Sequence, residues 1–246
     1  MPEGPSIVLL REALQPFVDK KIINAEGASA KVEYGRLPGA KIRKLKSWGK
    51  HLLICLPDLT IRIHLLMFGS VAIDNPKPNR IPKLSLFFAR GRSVHFYACA
   101  VTLITEPLSK LYDWTKDIMS KRWNSTLALK KLNVQASTLV CDALLDQDIF
   151  AGSGNIIKNE TLFRAKIHPK SVLGRIPPKK KKDLISEVIQ YSKLFLKWRR
   201  QNMLKRHWQA YSKKVCPRDL IPLRREYLGK TKRRTFFCTA CQKLYQ

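Results

Sequence analysis

Residues 152–169, GSGNIIKNETLFRAKIHP, put a helical pattern directly behind a glycine-rich turn. Gly152 and Gly154 carry no Cβ and so let another backbone approach closely, while Ile156, Ile157, Leu162 and Phe163 recur at helical spacing. A helix opening after such a turn presents N–H groups that lack intrahelical acceptors, and these suit a phosphate. Asn155, the first residue past the turn, is placed either to meet that phosphate or to cap the helix. Helical spacing continues outward on both sides. Upstream it starts near Pro107 and takes in Leu127, Leu129, Leu132, Leu139, Leu144 and Leu145. Downstream a long helix is expected over residues 182–197, with Leu184, Ile185, Val188, Ile189, Leu194 and Phe195 on one face. The run PPKKKK at 177–182 reads as a solvated connector and helix start.

Farther from this centre the pattern changes in both directions. Towards the N-terminus come the alternating runs KIRKLK (41–46), HLLICL (51–56), TIRIHL (60–65), KLSLFF (83–88) and SVHFYA (93–98). Pro38, Gly39, Pro57, Gly69, Pro76, Pro78, Pro82 and Gly91 separate them, so an antiparallel β-sandwich is expected after a short helix over residues 7–17. Towards the C-terminus stand CPRD at 216–219 and CTAC at 238–241, with 18 residues between them. That spacing fits a zinc ribbon in which Asp219 occupies the place of the fourth thiolate. Zinc accepts carboxylate oxygen as well as sulfur, so Cys216, Asp219, Cys238 and Cys241 are candidate ligands of one structural Zn2+, a metal-free hairpin being the alternative. The expected class is α+β and multidomain: a β-sandwich over 1–110, a helical domain over 111–212 and a zinc-ribbon-like β-hairpin over 213–246.

Lys and Arg number 47 against 18 Asp and Glu, a formal charge of +29, which calls for a polyanionic partner. Apolar runs fall far short of the ~20 residues of a spanning helix. The opening MPEGPSIVLL lacks the features of a secretory leader. An intracellular protein is expected, nucleoid-associated in a bacterium and nuclear otherwise.

Removal of Met1 before the small residue Pro2 would expose a secondary amine. An α-amino group titrates at about 7.7–8.0 and a lysine at about 10.4, so a useful fraction of such an amine is unprotonated near neutrality. Its attack on a sugar C1′ gives an iminium that is cationic without further protonation and acidifies the neighbouring carbon. Glu3 stands beside it as proton donor and acceptor.

PEGP at the start, SWGKHLLI at 47–54, GSGNIIKNETLF at 152–163 and the cysteine hairpin, in this order across the whole chain, resemble the formamidopyrimidine-DNA glycosylase and endonuclease VIII family. The resemblance implies a bifunctional DNA glycosylase and AP lyase of base excision repair, acting as a monomer on damaged DNA without an organic cofactor. It makes Pro2 the Schiff-base nucleophile, Glu3 the general acid/base and Lys50 the lysine required for glycosylase action. Segment 152–169 is similar to the family's helix-two-turn-helix, in which Asn155 binds phosphates flanking the lesion. In KTKRRTFF at 230–237, Arg233 matches the hairpin-tip arginine that contacts phosphate, with Arg234 its competitor. The turn HLLMFG at 64–69 matches the one that fills the space left by a flipped nucleotide, so Leu66, Met67 and Phe68 are candidates, Met67 foremost.

Four details resemble the endonuclease VIII branch: PEGPS rather than PELPE, three consecutive wedge residues, no Arg-Arg-Phe-Gly element in HFYACAVTLI at 95–104, and no Gly-Gly-Ser/Thr loop before Cys216. Oxidised pyrimidines and β,δ-elimination are the implied substrates and chemistry. Ser6 departs from the glutamate often found there. The alternatives are a formamidopyrimidine or 8-oxoguanine glycosylase and a non-catalytic DNA-binding relative; Pro2, Glu3 and Lys50 together oppose the second.

Overall fold

In the computed structural model, which describes residues 2–246, helix α1 (Gly4–Ala13) begins three residues before the apolar pattern at Ile7. Pro5 permits this, because an N–H in the first helical turn has no intrahelical acceptor to lose. The helix also stops earlier than expected. Pro16 disfavours α geometry at Gln15, and residues Gln15–Phe17 form a separate 3-10 turn.

Eight strands follow: β1 (Asn24–Glu26), β2 (Lys44–Trp48), β3 (His51–Cys55), β4 (Thr60–His64), β5 (Ser70–Ile73), β6 (Leu84–Phe87), β7 (Ser93–Tyr97) and β8 (Ala100–Ile104). They form two antiparallel four-stranded sheets, ordered β1-β6-β7-β5 and β2-β3-β4-β8. Alternate residues Leu52, Ile54, Ile61, Ile63, Leu84, Leu86, Val94 and Phe96 enter one apolar core with Ile7 of α1, as a sandwich requires. In the run KIRKLK only the second half is strand. Lys41 makes an isolated bridge to Lys21, and pairing with β3 starts at Lys44. Helix α2 (Leu108–Leu111) closes this unit, which spans Met1–Asp113.

The second unit, Trp114–Gln246, holds α3 (Ser125–Val134), α4 (Val140–Ala143), α5 (Asn155–Arg164), α6 (Pro178–Arg200) and the hairpin of β9 (Arg224–Leu228) and β10 (Arg233–Phe237). Residues 213–246 thus fold into the same unit as the helices. Asn124 starts α3 by accepting the Leu127 N–H at 2.9 Å. α6 begins inside the lysine-rich connector, where Pro178 is tolerated at the first turn, and it ends on Lys197, Arg199 and Arg200, whose charges suit its C-terminus. Its buried stripe of Leu184, Ile185, Val188, Tyr191 and Phe195 packs with Ala128 and Leu132 of α3 and with Ile157 of α5. No helix of the described residues is long and apolar enough to cross a membrane.

Helix α5 is buried on all sides from Asn155 to Phe163, including Lys158, Asn159 and Glu160. Polar groups survive such burial only when hydrogen-bonded, and each of these has a specific partner. Glu160 accepts the N–H groups of Gln209, Ala210 and Tyr211 at 2.8–3.1 Å. Burial raises its pKa, and those three N–H groups oppose the rise. Lys158 Nζ donates to Thr235 Oγ1 at 2.8 Å. Asn159 accepts from Phe236 N at 2.6 Å and donates to Arg234 O at 3.4 Å, so its amide serves β10 much as the backbone of another strand would.

Candidate functional site

Glu3 is fully buried at the N-cap position of α1, where its carbonyl accepts the N–H groups of Ser6 at 2.8 Å and Ile7 at 3.2 Å. Pro2, just before it, is half-buried. Helix α1 packs on β2 and β3, and Arg11 of the helix donates to Ser47 Oγ at 3.3 Å. The pairing of Trp48 with His51 leaves Gly49 and Lys50 as a two-residue turn. Gly49 takes φ +53° at its first position, the left-handed placement that closes such a hairpin with the right twist. Lys50 therefore sits half-buried in the turn itself, one residue before β3.

Around Lys50 lies a cluster that composition and motif did not single out. His51 and His64 face each other across β3 and β4, with rings 5.3 Å apart in an edge contact. Trp48 and Tyr112 pack 5.1 Å apart beside them, and Tyr112 Oη lies 3.4 Å from His51 Nδ1. Burial, then His64, Arg62 and Lys50, push the His51 pKa down to about 4. Burial, then Lys50 and Arg62, lower that of His64. Both imidazoles are held neutral, so the positive charge here belongs to Lys50 and Arg62. The signal was available in the register: setting HLLIC against TIRIH as a hairpin pairs the two histidines.

Directly after β4 the chain turns through Leu66, Met67 and Phe68, which are 50%, 48% and 79% exposed. Leu66 adopts φ +49°. Gly69 closes the turn by donating to Leu65 O at 2.8 Å, and a Cβ on it would lie 2.1 Å from that same oxygen. Burying a large apolar side chain yields about 1.5–3 kcal/mol, so three of them on one exposed turn forgo a sizeable part of that gain.

In the second unit Asn155 opens α5, its N-cap being Gly154. Its Nδ2 donates to Arg234 O at 2.8 Å, so the side chain ties the helix start to β10. Arg233 is the first residue of β10, half-exposed and paired with Leu228, while Arg234 is exposed. At the base of the hairpin the donor atoms of Cys216, Asp219, Cys238 and Cys241 all lie within 4.8 Å of one another. Asp219 Oδ2 is 3.3 Å from Cys216 Sγ and 3.2 Å from Cys238 Sγ, and Cys216 and Cys241 sulfurs are 3.8 Å apart. Tetrahedral bonds of about 2.3 Å to one ion would set two sulfurs about 3.8 Å apart, so this Cys3Asp group can hold a metal ion.

Two family descriptions match the chain in succession: the formamidopyrimidine-DNA glycosylase N-terminal domain over residues 1–99 and the formamidopyrimidine-DNA glycosylase H2TH domain over 99–196. The chain is 33% identical over 196 residues to Endonuclease 8-like 2 of Mus musculus, spanning 74% of this chain and 57% of that protein. It is 28% identical over 228 residues to Endonuclease 8-like 3 of Xenopus laevis, spanning 88% of this chain and 37% of that protein. The chain thus spans little more than half of the first relative and well under half of the second. Among solved structures it resembles a viral DNA glycosylase (TM-score 0.84, 21% identity, 98% of this chain and 100% of that one). It also resembles the Lactococcus lactis formamidopyrimidine DNA glycosylase non-covalently bound to DNA containing an AP site (TM-score 0.87, 23% identity, 98% and 99%).

Proposed function

Because the chain belongs to the formamidopyrimidine-DNA glycosylase and endonuclease VIII family, we propose that it is a bifunctional DNA glycosylase and AP lyase that removes oxidised pyrimidines in base excision repair. The observation that carries this reading is the start of α1: Pro2 and a fully buried Glu3 lead directly into a helix packed against the hairpin whose turn holds Lys50. With Met1 removed, the Pro2 nitrogen attacks C1′ of the damaged nucleotide and displaces the base, which leaves with a proton; the C1′–O4′ bond then breaks as Glu3 gives a proton to O4′, opening the sugar and leaving an iminium. Loss of a proton from C2′ then expels the 3′ phosphate, and a second elimination expels the 5′ phosphate. Glu3 carries protons in these steps, and Lys50 serves base removal.

The remaining residues hold the substrate. Leu66, Met67 and Phe68 fill the space of the flipped nucleotide, while Asn155 and Arg233 meet the phosphates beside it. The ion that the Cys3Asp group can hold is proposed to be Zn2+, bound by Cys216, Asp219, Cys238 and Cys241. When bound it would supply a structural cross-link at the base of the hairpin.

Trapping with borohydride tests the reading. Protein with Pro2 at its N-terminus should cross-link to duplex DNA containing an abasic site, Pro2→Gly should weaken lyase action strongly, and an N-terminal tag should abolish cross-linking. Thymine glycol or 5-hydroxycytosine should be excised faster than 8-oxoguanine opposite cytosine. Undiminished trapping by tagged protein would remove Pro2 from the mechanism, and faster excision of 8-oxoguanine would move the enzyme to the other branch.

A further inference from the structure

A two-stranded hairpin alone is only marginally stable, so the direction of its tip has to be fixed from outside. The turn between β9 and β10 reads GKTK over residues 229–232 and leads straight into Arg233. Asp142 of α4, 88 residues earlier in the chain, accepts the Lys230 N–H with both carboxylate oxygens, at 3.0 and 3.1 Å. Gly229 adopts φ +77°, and a Cβ there would lie 2.0 Å from Asp142 Oδ1 and 2.7 Å from its Cγ. Lys232 completes the turn by donating to Gly229 O at 3.1 Å. Thus the turn sits directly on the carboxylate, and two independent features, a charge-assisted backbone bond and a glycine without room for a side chain, fit the same contact.

We propose that Asp142 is a positioning residue for DNA binding: it docks the hairpin turn on α4 so that Arg233 is oriented before a phosphate arrives. The inference rests on the reading of Arg233 as a phosphate contact. Its physical basis is preorganisation, because a tip that has to be ordered on binding spends part of the binding free energy on that ordering.

The sign of one substitution separates this role from plain electrostatics. Asp142 adds a negative charge at the turn that carries Lys230 and Lys232 and leads into Arg233, so if charge alone mattered, Asp142→Ala would tighten binding to DNA. Positioning requires the opposite. In anisotropy titrations with a duplex carrying an abasic-site analogue at fixed salt, Asp142→Ala should raise Kd about tenfold, the scale of one charged hydrogen bond. Asp142→Asn, which keeps one acceptor, should lose less. Gly229→Ala should weaken binding by itself and cost less when added to Asp142→Ala, because the carboxylate it strikes is then gone. Borohydride trapping at saturating DNA should change less than Kd in each variant.

Binding by Asp142→Ala as tight as wild type or tighter, with Arg233→Ala clearly weakened, overturns the inference and leaves the hairpin reading standing. Arg233→Ala that binds like wild type overturns both. Should Asp142→Ala not fold, Asp142→Asn and Gly229→Ala carry the test, and wild-type Kd in both overturns the proposal.

Discussion

A methyl group at position 69 would lie 2.1 Å from the Leu65 carbonyl oxygen, so the turn bearing Leu66, Met67 and Phe68 exists in this form only with glycine there. Gly69→Ala must open the 2.8 Å bond between Gly69 N and Leu65 O and redirect all three apolar side chains. If they fill a vacated stack, excision from duplex DNA should fall about tenfold or more, while single-stranded DNA with the same lesion, having no stack to fill, should be processed nearly as before. Equal losses on both substrates would show that the turn does something else. At this scale the sequence offered candidates where a residue type is unusual for its place, as with apolar residues crowded into a turn or Pro2 beside Glu3. The His51–His64 pair could be found only by setting β3 against β4 in register, and the depression of both pKa values, which burial causes, could not be read from the sequence.

Elements were legible where apolar spacing is strong and obscure where other forces set the ends. β1 is three residues long, β5 is half-exposed throughout, and neither alternates clearly enough to read as strand. α5 reads correctly from its glycine turn, yet its burial on every side does not, because that burial depends on backbone N–H groups contributed by residues 209–211. The hairpin shows the reverse case: cysteine spacing announced a ligand group, and the four donors do converge. A carboxylate is a harder ligand than a thiolate, so Asp219 should be the weakest member of the group. Elemental analysis of tag-free protein should find one zinc per chain. In chelator competition Asp219→Cys should hold zinc more tightly than wild type, and Asp219→Ala should release it earlier, with weaker DNA binding but intact Schiff-base trapping. Folded, active protein without metal, or unchanged retention by Asp219→Ala, would rule out the carboxylate as a ligand.

For the whole molecule, if DNA is the partner as proposed, the charge of +29 should govern encounter with it more than any single contact does. Affinity for a lesion duplex should fall linearly on a log–log plot against salt, and removing one phosphate contact, as in Arg233→Ala, should lower the slope by about one. A flat salt response would contradict phosphate neutralisation as the main source of affinity. The change of periodicity near Pro107 lies close to where the first unit ends at Asp113, but the folding of the hairpin into the same unit as the helices, and the way that unit is locked, were not readable. Asn155, Lys158, Asn159 and Glu160 reach partners 49 to 79 residues further along the chain. That distance imposes an order in time. As the chain leaves the ribosome, the sandwich can close once β8 has emerged, whereas in α5 Glu160 has to wait for residues 209–211 and Lys158 for β10. The second unit therefore becomes rigid late, only after residues 209–211 and then β10 have been made.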